Sequence, residues 1–142
     1  MDDCVFCRIL RADTEASIVY EDEISAAFMD IQPVNPGHLL VVPREHFTDF
    51  AHTPAPLAAH LMTVAQRLAL AVRVAAPRCE GVNLLVADGE AAGQEVFHLH
   101  LHVIPRFAGD GFGFRFNRAY YKLPTRDDLD EVAGGVRAAL GT

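Results

Sequence analysis

Short runs of apolar residues along the first part of the chain are typical of β-strands. Ile18–Tyr20 and Ile24–Met29 flank the polar turn Glu21–Glu23, which predicts a β-hairpin. After a loop rich in Pro, Asn and Gly, the run His38–Pro43 predicts a buried strand. The segment Cys4–Arg11, before the hairpin, predicts a short helix or turn.

The clearest helical pattern lies at Pro54–Val74, with Thr53 as the expected cap and Pro54 in the first turn. Its apolar residues recur at steps of three and four, as one face of a helix requires. A second helix is expected after Thr125, which can cap it. The two apolar stripes are Leu57, Leu61, Val64, Leu68 and Val72 in the first helix, and Leu129, Val132, Val136 and Leu140 in the second.

Two further strands are predicted at Gly81–Ala87 and Val96–Ile104, joined by a Gly- and Ala-rich loop at Asp88–Gln94. Such a short loop favours an antiparallel pair. Strands grouped around one long helix favour an antiparallel α+β fold over a doubly wound parallel sheet. We therefore predict a sheet of about five strands with one long helix and a C-terminal helix, and a single domain over residues 1–142.

Composition narrows the classes of function. About half of the 142 residues are hydrophobic, so the chain can bury a core. It has neither the 18 to 20 consecutive apolar residues of a membrane span nor the pattern of a signal peptide at its N-terminus, so we expect no membrane partner and a cytoplasmic location. The net charge of −7 argues against long nucleic acids, but a single nucleotide needs only a few local hydrogen-bond donors.

Three histidines alternate with apolar residues in the segment His98–His102. On a strand, this alternation places the imidazoles on one face and the apolar side chains on the other. The first and third histidines would then lie ~13 Å apart, too far to share one metal ion at ligand distances of ~2 Å. Nucleophilic catalysis is the other interpretation, because neutral imidazole attacks phosphorus and its ordinary pKa keeps it largely neutral at pH 7.

The sequence HLHLHVI resembles the motif of the histidine triad (HIT) family, His-φ-His-φ-His-φ-φ, where φ is apolar. The similarity extends over nearly the whole chain. It includes CVFCRI, AFMDIQPVNPGHLLVVPREH, GVNLLVADG and GEAAGQEVFHLHLHVIPRF, in the order expected for the family. The chain is most similar to the small bacterial-type HIT hydrolases related to the Hint proteins, which implies a HIT-like fold.

The resemblance implies a catalytic centre at His100, His102 and His38. His100 matches the family's nucleophile, which attacks the α-phosphorus of nucleoside phosphoramidates or dinucleoside polyphosphates. A nucleotidyl-histidine intermediate forms, and water then releases a nucleoside monophosphate. His102 would contact the phosphate oxygens, and His38 would support the site.

The same resemblance implies a purine nucleotide or nucleotide conjugate as the ligand. Asp30 matches the residue that accepts hydrogen bonds from the ribose hydroxyls. Phe28, Ile31 and Ile9 match positions that line the base pocket. The remaining expected contacts are with the phosphate and come from Gly93, Gln94, Glu95 and Val96.

Two positions depart from the family's pattern. Many relatives carry Ser where this chain has Glu95, and an ionised carboxylate cannot donate the hydrogen bond that the hydroxyl gives to the scissile oxygen. Many relatives also carry Asn where this chain has Ala87, which removes one polar contact. Both departures bear on the leaving group and on the choice of substrate.

A structural zinc site is a separate implication of the resemblance. Cys4 and Cys7 form a C-x-x-C pair, which alone supplies only two of the four ligands of a closed zinc site. In a subset of HIT proteins the matching cysteines bind zinc together with two histidines, here His46 and His98. We therefore expect zinc as a structural cofactor, with His98 as a ligand beside the nucleophile.

Two other functions remain open from the sequence. The protein could be a nucleotide-binding or scaffold protein with little turnover, or a metal-dependent hydrolase that uses the histidines as ligands. Family members commonly form a homodimer through the long helix and an edge strand, so we expect a homodimer. His52 and His60 are expected to be solvated.

Overall fold

A computed structural model describes residues 3–141, which form two compact units, residues 3–110 and 111–141. The first unit contains a five-stranded antiparallel sheet in the order β1-β2-β3-β5-β4. Its elements are α1 (Val5–Leu10), β1 (Ile18–Glu21), β2 (Ser25–Met29), β3 (Leu39–Pro43), α2 (Ala55–Ala75), β4 (Gly81–Val86) and β5 (Leu101–Arg106). The predicted α+β fold is confirmed, and a single domain over residues 1–142 stays a prediction.

The sheet has an apolar layer on each face. One layer joins the stripe on α2 to β2, β3 and β5, including Leu99, Leu101 and Val103. The other layer surrounds Phe6 of α1 and includes Phe28 and alternate residues of β2 and β3. Because side chains alternate along a strand, the apolar residues of the triad segment face α2 and leave the histidines to the face of α1.

By length and composition α2 could cross a membrane. Its buried residues, however, are the ones that pack on the sheet: Leu61, Val64, Ala65, Leu68 and Val72. This one-sided burial is typical of the core helix of an α+β domain.

Three local expectations from the sequence are wrong. β5 begins at Leu101 instead of Val96, because the N–H of Leu99 donates to the carbonyl of Phe47 before regular pairing starts. Pro54, with no side-chain hydrogen bond, occupies the N-cap position of α2, while the hydroxyl of Thr53 donates to the carbonyl of Asp49. His60 was expected to be solvated, but its Nε2 forms a hydrogen bond with the carboxylate of Asp22.

The second unit contains a short 3₁₀ helix, Arg118–Tyr121, and α3, Arg126–Leu140. Thr125 caps α3 in a reciprocal capping box with Asp128, which confirms the predicted start. The stripe of Leu129, Val132, Val136 and Leu140 is exposed.

Asp22 joins the β1–β2 turn to α2 through a cluster of hydrogen bonds. Its carboxylate accepts the N–H groups of Ile24 and Ser25, the hydroxyls of Tyr20 and Ser25, and Nε2 of His60 at 2.7 Å. Burial alone would raise the pKa of Asp22, but these donors outweigh it and hold the pKa well below its ordinary value.

We expect Asp22→Asn to destabilise the fold by about 2 kcal/mol at pH 7, because the amide loses the charge and one acceptor oxygen. A depressed folded-state pKa stabilises the fold above the unfolded pKa of about 4, and this contribution disappears as pH falls towards the folded value. Urea denaturation at pH 7 and pH 3 should therefore show that the free energies of unfolding of wild type and variant differ less at pH 3 than at pH 7. Asp13→Asn, at an exposed position, is the matched control. An equal difference at both pH values would contradict this role for the charge.

Candidate active site and metal centre

A cavity of about 270 Å³ lies on the α1 face of the sheet. Its wall brings together nine of the residues expected at the site. They are Ile9, Phe28, Asp30, Ile31, Gly93, Glu95, Val96, His100 and His102. A volume of this order suits part of a small organic ligand.

His100 is held in one tautomer by the backbone carbonyl of His98. The ring is buried, and Nδ1 lies 2.8 Å from the carbonyl oxygen of His98. Because a carbonyl only accepts, Nδ1 carries the proton and Nε2 keeps its lone pair. This is the form of imidazole that can act as a nucleophile.

His102 is oriented through His38. The N–H of Val34 donates to Nδ1 of His38 at 3.0 Å, so the proton of neutral His38 lies on Nε2. That Nε2 lies 2.9 Å from Nδ1 of His102 and 3.5 Å from Oδ2 of Asp30. His102 therefore accepts at Nδ1 and carries its own proton on Nε2, where it can donate to a ligand.

Burial keeps the triad neutral. Desolvation lowers the pKa of His100, although the hydrogen bond to His98 and the charges of Asp30 and Glu95 oppose it. It lowers the pKa of His102 to about 4, assisted by the neighbouring His100 and His38. Burial also lowers the pKa of His38, against the opposing charge of Asp30. At pH 7 the triad therefore offers a lone pair at His100 and a neutral donor at His102.

Three residues of the Gly93–Val96 segment line the cavity, and Gln94 does not. Gln94 is buried, and its amide is occupied: it accepts from the N–H of Gly89 and donates to the carbonyls of Thr48 and Val96. The expected contact of the Gln94 side chain with phosphate is therefore wrong. Its hydrogen bonds instead stabilise the loop that carries Gly93 and Glu95. The positive φ of 93° at Gly93 favours glycine at that position.

The apolar part of the cavity is larger than the sequence suggested. Phe28 is buried, but Ile31 is 95% exposed and lies at the rim. Phe6, which the sequence analysis did not single out, lies edge-on to the ring of His100, with centroids 5.2 Å apart. Val5, Ala16, Met29, Gln32 and Leu40 also line the cavity. Apart from the exposed Gln32, these are ordinary apolar residues, so only the fold could identify them.

The four residues expected to bind zinc come together at the start of α1. Their candidate ligand atoms lie within 4.8 Å of one another. Sγ of Cys7 lies 3.3 Å from Nδ1 of His46 and 3.6 Å from Nδ1 of His98, and Sγ of Cys4 lies 3.5 Å from Nδ1 of His98. Sulfur and nitrogen ligands on one tetrahedral zinc ion are separated by about 3.6 Å.

The tautomer of His98 also fits a metal ligand. Nε2 lies 2.9 Å from the carbonyl oxygen of Pro43, so it carries the proton and leaves the Nδ1 lone pair towards the cysteines. Burial lowers the pKa of His98 to about 4, which keeps the ring neutral. The donor set and its spacing therefore fit zinc.

A second trio of metal-binding residue types, Asp30, His38 and His102, fits a metal less well. For Nε2 of His38 to bind a metal, its proton would have to move to Nδ1. There it would oppose the N–H of Val34, which donates to that nitrogen. Hydrogen bonds from Val34 to His38 and from His38 to His102 orient His102, and the carboxylate of Asp30 lies beside them, 3.5 Å from Nε2 of His38.

A sequence model of the HIT domain matches residues 11–109, which include the three histidines His98, His100 and His102 and the Gly93–Val96 segment. The chain belongs to the HIT family. Adenylylsulfatase HINT3 of Arabidopsis thaliana is 37% identical over 98% of this chain and 70% of its own length.

Two solved structures resemble the chain over almost its full length. SMU.412c of Streptococcus mutans UA159 has a TM-score of 0.90 and 37% identity, covering 99% of this chain and 87% of its own. A zinc-bound histidine triad family protein of Mycobacterium smegmatis has a TM-score of 0.75 and 38% identity, covering 99% of this chain and 96% of its own. In the present chain, the cluster of Cys4, Cys7, His46 and His98 is consistent with zinc.

Proposed function

We propose that this HIT protein hydrolyses nucleoside phosphoramidates or dinucleoside polyphosphates at the α-phosphorus and releases a nucleoside monophosphate. The observation that carries the proposal is the pair of fixed tautomers at His100 and His102 in the wall of one cavity. The activity in the name of the Arabidopsis relative, an adenylylsulfatase, supports hydrolysis of a nucleotide conjugate.

In the first step, Nε2 of His100 forms a bond to the α-phosphorus while the bond from phosphorus to the leaving group breaks. The electron pair of that bond stays with the leaving group, which takes a proton from solvent. Nε2–H of His102 donates to the phosphate oxygens, where negative charge increases in the transition state. The hydrogen bond from Nδ1 of His100 to the His98 carbonyl stabilises the positive charge that forms on the ring.

In the second step, the oxygen of a water molecule bonds to phosphorus and the bond to Nε2 breaks. The electron pair returns to the imidazole, the proton of the water returns to solvent, and the nucleoside monophosphate leaves. Phe28 and Ile9 would contact the base, because they line the apolar part of the cavity. Asp30 lies in the same wall, and its carboxylate would accept hydrogen bonds from the ribose hydroxyls. Purine bases suit such a wall.

We also propose that Cys4, Cys7, His46 and His98 hold a structural zinc ion. Zinc would supply stability by joining α1 to the segment that carries the nucleophile. α1 places Phe6 against His100, and the carbonyl of His98 orients the His100 ring. The zinc ligands would therefore help to hold the nucleophile in position.

The proposed working form is a cytoplasmic homodimer. β4 is an edge strand of the sheet, and Leu84 on it is exposed. Met62, Leu70 and Val74 are exposed on α2. An edge strand and an apolar helix face support self-association through these two elements.

The test measures, by chromatography, the release of AMP from adenosine 5′-phosphoramidate and from diadenosine tetraphosphate. We expect AMP from at least one of them at a rate proportional to enzyme concentration. Binding of AMP without turnover of either compound would reject the hydrolase and favour the nucleotide-binding protein instead.

A further inference from the structure

The cavity presents negative charge beside the nucleophile. Asp30 and Glu95 both line it, and among the described lining residues none is Lys or Arg. Sites that bind several phosphate groups ordinarily place Arg, Lys or a metal ion against them. The walls of this cavity therefore suit a ligand with little negative charge beyond one phosphoryl group.

The two carboxylates differ in their surroundings. Asp30 accepts the N–H of Gln32 and lies near Nε2 of His38. Glu95 is exposed, and the contacts of the described residues give its carboxylate neither a hydrogen bond nor an ion pair. Glu95 and His100 line the same cavity, so the charge of Glu95 acts on whatever is attached to the phosphorus that His100 attacks.

The part of the substrate that would meet Glu95 follows from which residues line the cavity and which are exposed. The base has apolar side chains to pack against, including Phe28 and Ile9. The leaving group is left for the open mouth, where Glu95 is exposed. An unpaired carboxylate there attracts a cation and repels an anion.

We propose that Glu95 selects the substrate by the charge of its leaving group, favouring amines that carry a positive charge and disfavouring sulfate or polyphosphate. This selection rests on the proposed hydrolysis at His100. One unit of charge on the leaving group, close to an exposed carboxylate, changes kcat/KM by about 3- to 10-fold. Added salt should reduce the preference, because the carboxylate is exposed.

The experiment compares three adenosine 5′-phosphoramidates that share one amine skeleton and differ in a cationic, neutral or anionic tail. We expect wild type to prefer the cationic over the anionic tail by about 10-fold or more in kcat/KM. Glu95→Gln should lower that ratio towards one, and Glu95→Lys should reverse it. Glu90→Gln removes a nearby exposed carboxyl group outside the cavity wall and should keep the wild-type ratio. Equal ratios in wild type and Glu95→Gln would overturn the proposal.

A binding measurement separates this proposal from the proposed reaction. Calorimetric titration of His100→Ala with the same three compounds reports affinity without turnover. A cationic preference that disappears in the double variant with Glu95→Gln supports selection by Glu95 even if wild type hydrolyses none of the compounds. Turnover by wild type together with equal affinity and equal kcat/KM for all three tails overturns selection and leaves the hydrolase intact. Failure of His100→Ala to bind any of them, without turnover by wild type, rejects both.

Discussion

Replacing His100 with Ala is expected to lower the rate of AMP formation by about 1,000-fold or more. The loss of a nucleophile that forms a covalent intermediate removes the pathway itself, and losses of this size or larger are typical. His100→Gln tests the same point with a side chain that retains bulk and a polar amide. The measurement is initial-rate formation of AMP from the better of the two substrates.

His52→Ala is the matched control, because the His52 side chain is 79% exposed and lies in a turn outside the cavity. Thermal unfolding should show that the His100 variants are folded. A folded His100→Ala protein with wild-type turnover would show that another group attacks phosphorus. If that activity were also sensitive to a chelator, it would favour the metal-dependent hydrolase.

Removal of zinc is expected to lower the thermal stability of the protein, and this is the second large effect. We expect one zinc ion per chain in the purified protein by elemental analysis, and little in Cys7→Ser. Loss of a four-ligand site that joins α1 to the catalytic segment should lower the melting temperature by about 10 °C, equivalent to roughly 3 kcal/mol. Chelation of the wild-type protein should produce a similar shift that added zinc reverses.

Cys79→Ser is the control for the cysteine substitution. Cys79 lies outside the Cys/His cluster, and Ser preserves the donor to the carbonyl of Gly81. Its zinc content and melting temperature should stay close to those of wild type. Full zinc content in Cys7→Ser, or equal melting temperatures with and without zinc, would contradict the proposed metal centre.

Local patterns predicted most of the fold, because β3 is an unbroken apolar run that is buried throughout and α2 buries one regular face. The β1–β2 hairpin, the buried β3, α2 and the capped α3 all follow from local patterns. The boundary of β5 did not, because the segment before Leu101 pairs with Phe47, a partner distant in sequence. The role of His60 was missed for the same reason: its partner Asp22 lies in a turn 38 positions away.

The triad and the Cys/His set could be predicted because their residue types are rare and regularly spaced. Gln94 could not be placed correctly, since an amide binds phosphate or backbone equally well and only the fold shows the backbone partners. Phe6 gave no signal, because a phenylalanine on a short helix is ordinary core. Its importance comes from its contact with His100.

The configuration at phosphorus tests the covalent path through His100 most directly. A substrate made chiral at the α-phosphorus is hydrolysed in isotopically labelled water, and the product's configuration is determined. Each in-line displacement inverts phosphorus, so attack by His100 followed by attack by water predicts overall retention. Overall inversion would mean that water attacks the substrate directly, and the nucleophilic role of His100 would be wrong.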